Sequence, residues 1–317
     1  MKTIDFSAMH NVLLRNEDGT LLPADVPYYA PTLIAPDTWA IVSDGDYTYL
    51  LAGTEDTLVI DSGCGAGNIR EFCQTLTDKP VWRIASTHHH FDHTANNCNF
   101  DQVYMAESGI PLASIPFPSF EAAEVPRDYP VEAIGEGHVF HLGERDVEVI
   151  MAMPDHAVSS LLYLDRKTRI LFVGDEIGNH GMMLQGTVEN RWRQLKRLET
   201  YRGEFDYMCG GSHYMIPADY VEKYTANCEH ILAGNTPEPL GKGGGPGGPK
   251  GGPGGPGMHK DSELTIGPNG EKIYDRKKPR PEDRGNGGNP EDAKYRVAME
   301  YAGTRIIYDS RKVFDEK

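Results

Sequence analysis

Four times along this 317-residue chain a short apolar run leads into a residue that can bind a metal ion. Residues 81–86 lead into His88, residues 147–151 into His156, residues 170–173 into Asp175, and residues 207–209 into His213. Brief apolar runs bounded by glycine, proline and asparagine read as buried strands. A single histidine after a strand is usually structural. Four ligand-type residues so placed constrain the chain to a layered α/β fold with its chemistry in the loops at the strand ends, where rigid strands hold each side chain in position.

The first of these places is the densest. Thr87-His88-His89-His90-Phe91-Asp92-His93 carries the pattern H-x-H-x-D-H. In an extended segment His88 and His90 point the same way, because alternate residues share a face. After a turn, Asp92 and His93 face a second position. Two imidazoles for one cation, with a carboxylate and an imidazole for its neighbour, suit a pair of borderline-soft divalent ions. The competing reading is a histidine-rich surface loop, and the other strand-end ligands weigh against it.

Composition sets the outer bounds. The length suffices for one large or two small domains with a real core. Hydrophobic residues at 39% and charged residues at 25% describe an ordinary globular protein. A formal charge of −16 disfavours nucleic acid and anionic membrane surfaces as partners and puts polyanionic substrates at a disadvantage. A homo-oligomer is compatible with these bounds. The N-terminal residues lack the apolar core of a signal peptide, and no stretch reaches the length of a membrane span. The five cysteines form no C-x-x-C pair, which points to the reducing cytoplasm.

Residues 1–37 read as an irregular N-terminal extension, with Pro23, Pro27, Pro31 and Pro36 discouraging long elements. Residues 38–239 form the catalytic domain. It starts with a meander over 39–42, 47–51 and 57–60, which ends at Asp61-Ser62-Gly63, followed by a short helix from 68 to 77. Helices are also expected over 189–201 and 218–233. The proline- and aromatic-rich residues 108–130 suit a loop over a pocket or plain surface packing. Residues 240–292 read as a flexible, disordered insertion. Glycine recurs at 245, 248, 251, 254 and 257, too few triplets for a collagen helix, and Pro268-Asn269-Gly270 marks a small hairpin. Residues 293–317 hold two strands expected to rejoin the main sheet.

Taken together, Asp61, His88-x-His90-x-Asp92-His93, His156, Gly174-Asp175 and His213 resemble the metallo-β-lactamase-fold hydrolase superfamily in residue type, order and spacing. The resemblance covers about residues 38 to 235, with the final strands. It implies a four-layer αββα sandwich with a binuclear site at one edge of its two sheets. It also implies two Zn2+ ions, with iron or manganese as alternatives. His88, His90 and His156 would hold one ion, Asp92, His93 and His213 the other, and Asp175 would bridge them. A hydroxide between the ions would attack an ester, thioester, lactone or similar small substrate, with Asp92 orienting it and relaying its proton. Asp61 would position the histidine loop from behind.

Several residues depart from the family pattern. Asp155 stands before His156 where the family has glycine, either as an extra carboxylate near the metals or as a surface charge. His213 sits in Gly211-Ser212-His213-Tyr214 rather than Gly-His-Gly, and His180 is the spare candidate. Asp175 stands where true β-lactamases carry cysteine or serine. The Thr-His-His-His-x-Asp-His string is similar to the glyoxalase II group, whose basic C-terminus is missing here. Gly178 replaces the tyrosine of acyl-homoserine lactonases. The alternatives to a zinc hydrolase are a non-haem iron oxidoreductase of the persulfide dioxygenase kind and a binding protein with a vestigial site.

Overall fold

The computed structural model describes residues 12–15, 19–23, 29–43, 46–63, 68–115, 126–179, 181–240, 265–266, 268, 272–275 and 294–316. Two sheets face each other. The first has seven strands in the order Ala30–Ala35, Thr38–Ser43, Asp46–Ala52, Thr57–Ile60, Arg83–Ala85, Gln102–Met105 and Val131–Ala133. It starts as an antiparallel meander and becomes parallel from Thr57–Ile60 onward. The second has six strands in the order Val139–His141, Asp146–Ala152, Leu161–Asp165, Ile170–Gly174, Tyr207–Gly210 and Ile216–Pro217. Its one parallel pair is Ile170–Gly174 with Tyr207–Gly210.

Leu161–Asp165 and Ile170–Gly174 are buried at every position, as strands covered on both faces must be. Their alternate side chains enter two different cores. Leu161, Tyr163, Ile170 and Phe172 meet Tyr49, Leu51, Leu58 and Ile60 between the sheets. Leu162, Leu164, Leu171 and Val173 point outward, beneath the helices Val188–Glu199 and Tyr220–Leu232. The outer face of the first sheet packs Ile41, Leu50, Val59 and Ile84 against Ile69 and Cys73 of the helix Ile69–Gln74. The result is the expected helix–sheet–sheet–helix sandwich. Among the described residues no helix is long and apolar enough to cross a membrane.

The chain ends differ from the sequence expectation. The N-terminal segment contains the strands Val12–Arg15, Leu21–Pro23 and Ala30–Ala35. Pro31 is tolerated because Ala30–Ala35 is an edge strand, where a missing N–H costs no ladder bond. The hairpin expected near Pro268 forms, Thr265–Ile266 pairing with Lys272–Asp275, and the latter runs parallel to Val12–Arg15. Residues 241–264 of the glycine-rich stretch lie outside the described residues. The last strands, Arg296–Tyr301 and Thr304–Asp309, rejoin neither main sheet. The edge next to Tyr207–Gly210 is already taken by Ile216–Pro217, so they form a separate four-stranded sheet with Gly181–Met183 and Glu238–Pro239. Asn227 fixes this sheet to the last helix through bonds to Met299 O (3.2 Å) and Thr304 O (3.0 Å).

A buried charge ties the two main sheets together. Arg145 is 2% exposed, and its guanidinium donates to the carbonyls of Asp37 and Ala52 (2.9 Å each) and to Thr38 Oγ1 (2.7 Å) on the first sheet. On the second sheet it meets Asp165, which is fully buried, at 2.5 Å. Removing one member of such a pair leaves an uncompensated interior charge, at a cost of roughly 3–5 kcal/mol. Arg145→Ala is therefore expected to lower the urea-unfolding free energy by about that amount. A loss below about 1 kcal/mol would show that the pair contributes little to joining the sheets.

Candidate metal centre

The candidate site forms where the ends of Arg83–Ala85, Asp146–Ala152, Ile170–Gly174 and Tyr207–Gly210 come together. Its base is Asp61, 1% exposed at the end of Thr57–Ile60, with φ of 58°. The left-handed region is uncommon for a residue with a Cβ, and aspartate is among those that tolerate it. The carboxylate accepts from the Thr87 N–H (2.6 Å), the Thr87 hydroxyl (2.7 Å) and His93 Nδ1 (2.8 Å). Since the single Thr87 hydroxyl proton goes to Asp61, Thr87 Oγ1 accepts from His88 Nδ1 at 3.1 Å. Both histidines thus carry their proton on Nδ1 and present Nε2 to the site. His88 Nε2 and His93 Nε2 are buried and have no hydrogen-bond partner, as is Asp92 Oδ1.

Three groups of possible ligand atoms lie within 4.8 Å of one another: His88, His90 and His156; His88, His93 and Asp175; and Asp46, Asp92 and His93. His156 Nε2 stands 3.0 Å from His90 Nδ1. Asp175 reaches both sides, with Oδ1 3.5 Å from His93 Nε2 and Oδ2 3.6 Å from His156 Nε2. Converging lone pairs buried without partners are costly unless a cation gathers them. The donor set of imidazoles and carboxylates fits zinc or a related divalent ion.

The electrostatics agree. Burial, with His93 nearby, holds the His88 pKa well below its ordinary value, and burial with His156 pushes His90 down to about 3. These imidazoles are neutral, as ligands must be. Burial works in the same direction on His93, but Asp61, Asp92 and Asp175 together push its pKa well above the usual value. Burial favours a protonated Asp175, yet His93, His156 and His88 hold its pKa far below the carboxylate range. Burial raises Asp92, with His93 opposing and Asp175 adding to the rise. Positive charge is favoured between these carboxylates.

The sequence-predicted residues fall as follows. His88, His90, His156, Asp92, His93 and Asp175 come together, and Asp61 braces them. His213 lines the neighbouring cleft but belongs to none of the three groups. His180 lies outside the described residues. Asp155 is neither beside the metals nor a surface charge. It is 8% exposed and turned away, accepting from Gly186 N (2.6 Å) and Arg191 Nη2 (3.0 Å). His89 points to Ser159 Oγ at 2.8 Å.

Four residues that matter here were not singled out from the sequence. Asp46, at the start of Asp46–Ala52, faces Asp92 and His93. Glu176 is 1% exposed and accepts the His156 N–H at 3.0 Å, holding the loop that carries that ligand. Arg191, from the helix Val188–Glu199, compensates Glu176 at 2.6 Å and Asp155 at 3.0 Å. Gly211 presses on the site from above. The Gly-Gly-Ser run next to a ligand hinted at the last of these; the other three have no local signal.

A cleft of about 1260 Å³ opens beside Asp175 and His156. Ile177, Met182 and Met183 line one side, and Tyr301, Ala302 and Arg305 of the C-terminal hairpin line another.

Gly174 and Gly211 make the close approach possible. A Cβ on Gly174, whose φ is 52°, would fall 2.5 Å from Thr87 Oγ1. One on Gly211 would fall 2.2 Å from Asp175 Oδ1 and 2.6 Å from His93 Cε1. Gly211→Ala is therefore expected to displace Asp175 and weaken metal retention by about 10-fold or more, the scale of losing a ligand's support. The circular dichroism spectrum should be unchanged. Metal content equal to wild type after dialysis against a chelator would disprove that packing.

The sequence profile described as the Metallo-beta-lactamase superfamily matches residues 44–236. Among curated proteins, the chain is 29% identical to "Acyl-coenzyme A thioesterase MBLAC2" of Gallus gallus, over 43% of this chain and 58% of that protein. It is 27% identical to the Homo sapiens protein of the same name, over 49% of this chain and 64% of that one. It is 27% identical to "Hydroxyacylglutathione hydrolase" of Rhizobium meliloti (strain 1021), over 43% and 52% respectively. The chain thus spans less than two thirds of these relatives' length. Among solved structures, a metallo-beta-lactamase from Erythrobacter litoralis superposes with a TM-score of 0.50 at 12% identity, over 64% of this chain and 97% of that one. That likeness concerns the fold.

Proposed function

This chain belongs to the metallo-beta-lactamase superfamily, and from that premise we propose that it is a binuclear metal-dependent hydrolase of small-molecule thioesters. The observation that carries the reading is the set of buried, unpartnered atoms His88 Nε2, His93 Nε2 and Asp92 Oδ1, close to His156 and Asp175, which line the cleft. His88, His90 and His156 would hold one cation, Asp92 and His93 would hold a second, and Asp175 stands between them. When bound, two such ions lower the pKa of water toward neutrality and polarise an acyl carbonyl.

The chain's own residues supply the rest. Asp61 and Thr87 fix which imidazole nitrogen of His88 and His93, Nε2 in both, is turned to the candidate ligand cluster. Glu176 anchors the His156 loop through backbone N–H groups and is itself compensated by Arg191. Asp92, in a partly buried position with a raised pKa, is suited to take up and return a proton as the leaving group departs. Ile177, Met182, Met183 and Tyr301 give the cleft an apolar wall that suits an acyl chain.

The thioester class draws support from the relatives, whose names specify acyl-coenzyme A, carboxyl ACP and hydroxyacylglutathione as substrates. All three describe an acyl group carried on a larger thiol. The cleft is wide enough for the acyl part and opens outward beyond the hairpin.

Matched thioester and oxygen-ester substrates separate this reading from its neighbours. The zinc-loaded protein is expected to release free thiol from an acyl thioester, to lose that activity with a chelator, and to regain it with zinc. Asp175→Asn should lose metal and turnover together by more than about 100-fold, beyond the range of ~10–100-fold seen for outer partners. Cleavage of the oxygen ester alone would dismiss the thioester class. Unchanged turnover and two retained metals in Asp175→Asn would dismiss the bridging role.

A further inference from the structure

We propose that Asp46 is a ligand of the second cation, completing its site with Asp92 and His93, and that His213 is a wall of the substrate cleft rather than a ligand. The inference rests on the two-cation reading above and changes which residues close the second site.

Geometry comes first. The ligand atoms of Asp46, Asp92 and His93 all lie within 4.8 Å of one another, a grouping that His213 does not enter. Ligands around a tetrahedral zinc with bonds of about 2.0–2.2 Å stand roughly 3.3–3.6 Å apart, so small side-chain rotations would close the set. Two members of this group point unpartnered atoms into it: His93 Nε2, on a fully buried side chain, and Asp92 Oδ1. An acidic pair alone would be solvated. Here the pair shares its space with a buried imidazole whose second nitrogen is fixed by Asp61.

The backbone then places Asp46. Tyr47 N donates to Gly211 O at 2.7 Å, and the Tyr49 hydroxyl donates to Gly210 O at 2.6 Å. These bonds fasten the first residues of Asp46–Ala52 to the loop that lies against Asp175 and His93. Asp46 precedes the fastened Tyr47 and is carried to the metal side by it. The same loop carries His213. Its carbonyl accepts from Gly210 N at 2.7 Å, and its residue lines the cleft beside Ser212 and Tyr301.

Charge favours the assignment. Asp92 and Asp175 have histidines as their ion-pair partners, with His93 3.8 Å and 3.5 Å from them. The nearby guanidinium of Arg191 is committed to Asp155 and Glu176. A third carboxylate in place of a neutral imidazole adds negative charge to the set of ligand atoms. It makes the second site harder than the three-histidine site, so manganese should compete better there than at the first.

The test is metal stoichiometry in the full chain, independent of any substrate. Metal-free protein is titrated with Co2+ and with Zn2+, followed by absorption and by metal analysis after gel filtration. Wild type should take up two ions. Asp46→Asn, isosteric and partly exposed, should keep one ion tightly and bind the second at least ~10-fold more weakly. Asp46→Glu should recover much of the loss, which a purely structural role would not predict. His213→Ala should bind two. Undiminished binding in Asp46→Asn, with one ion lost in His213→Ala, would overturn the proposal and leave the two-cation reading standing. Loss of the second ion in both variants would overturn the exclusion of His213. A wild type that binds fewer than two ions would overturn this proposal and the two-cation reading together.

Discussion

One carboxylate organises the candidate site. Asp61 receives three hydrogen bonds of 2.6 to 2.8 Å from Thr87 and His93, and through Thr87 it also determines the state of His88. A buried carboxylate held by three donors keeps a fixed orientation. Its backbone sits in the left-handed region, at φ 58°, where a small energetic cost is stored. That cost is offset by the bonds its position allows. The consequence reaches His88 and His93, whose Nε2 atoms are turned to the candidate site by this buried anchor.

Around that anchor the protein arranges charge in two zones. The inner zone holds Asp92, Asp175 and the imidazoles, the carboxylates pairing with histidines and with no lysine or arginine among the described residues. The outer zone holds Arg191 between Asp155 and Glu176, all buried and mutually compensated. Glu176 follows Asp175 in sequence, yet the two carboxylates serve opposite zones because they point to different sides of the chain. One faces the candidate ligand cluster and the other clamps the loop of His156. A buried arginine so close to the centre strengthens the ligand frame without competing for the place of a cation.

The cleft joins parts of the chain that are remote in sequence. Its inner end belongs to the loops of the sandwich, and its outer wall to residues 300–305 of the C-terminal hairpin. That hairpin lies beyond the residues matched by the superfamily profile, 44–236. It is attached through parallel pairing with Gly181–Met183, the short strand that follows the Asp175 loop, so backbone hydrogen bonds join the outer wall of the cleft to the stretch after Asp175. The candidate ligands thus lie within the residues the profile matches, and part of the outer wall of the cleft lies beyond them.

The sequence alone determined the sandwich and most of the candidate ligands. Continuous apolar runs such as 161–164 and 170–173 can only be strands covered on both faces, and a histidine or aspartate directly after a strand inherits its rigidity. His88, His90, Asp92 and His93 were readable because neighbours in sequence stay neighbours in space. Only the tertiary structure decided which side chains arrive from elsewhere. Asp46 is brought beside Asp92 and His93 next to Tyr47, whose N–H bonds Gly211 O, and Arg191 comes from a helix laid over the second sheet. Asp155 was drawn away from the metals by that same arginine. The final strands formed their own sheet because the edge they would have joined was occupied. In each of these cases the deciding partner is distant along the chain, and no local pattern of residue types records a contact that exists only after the layers have packed.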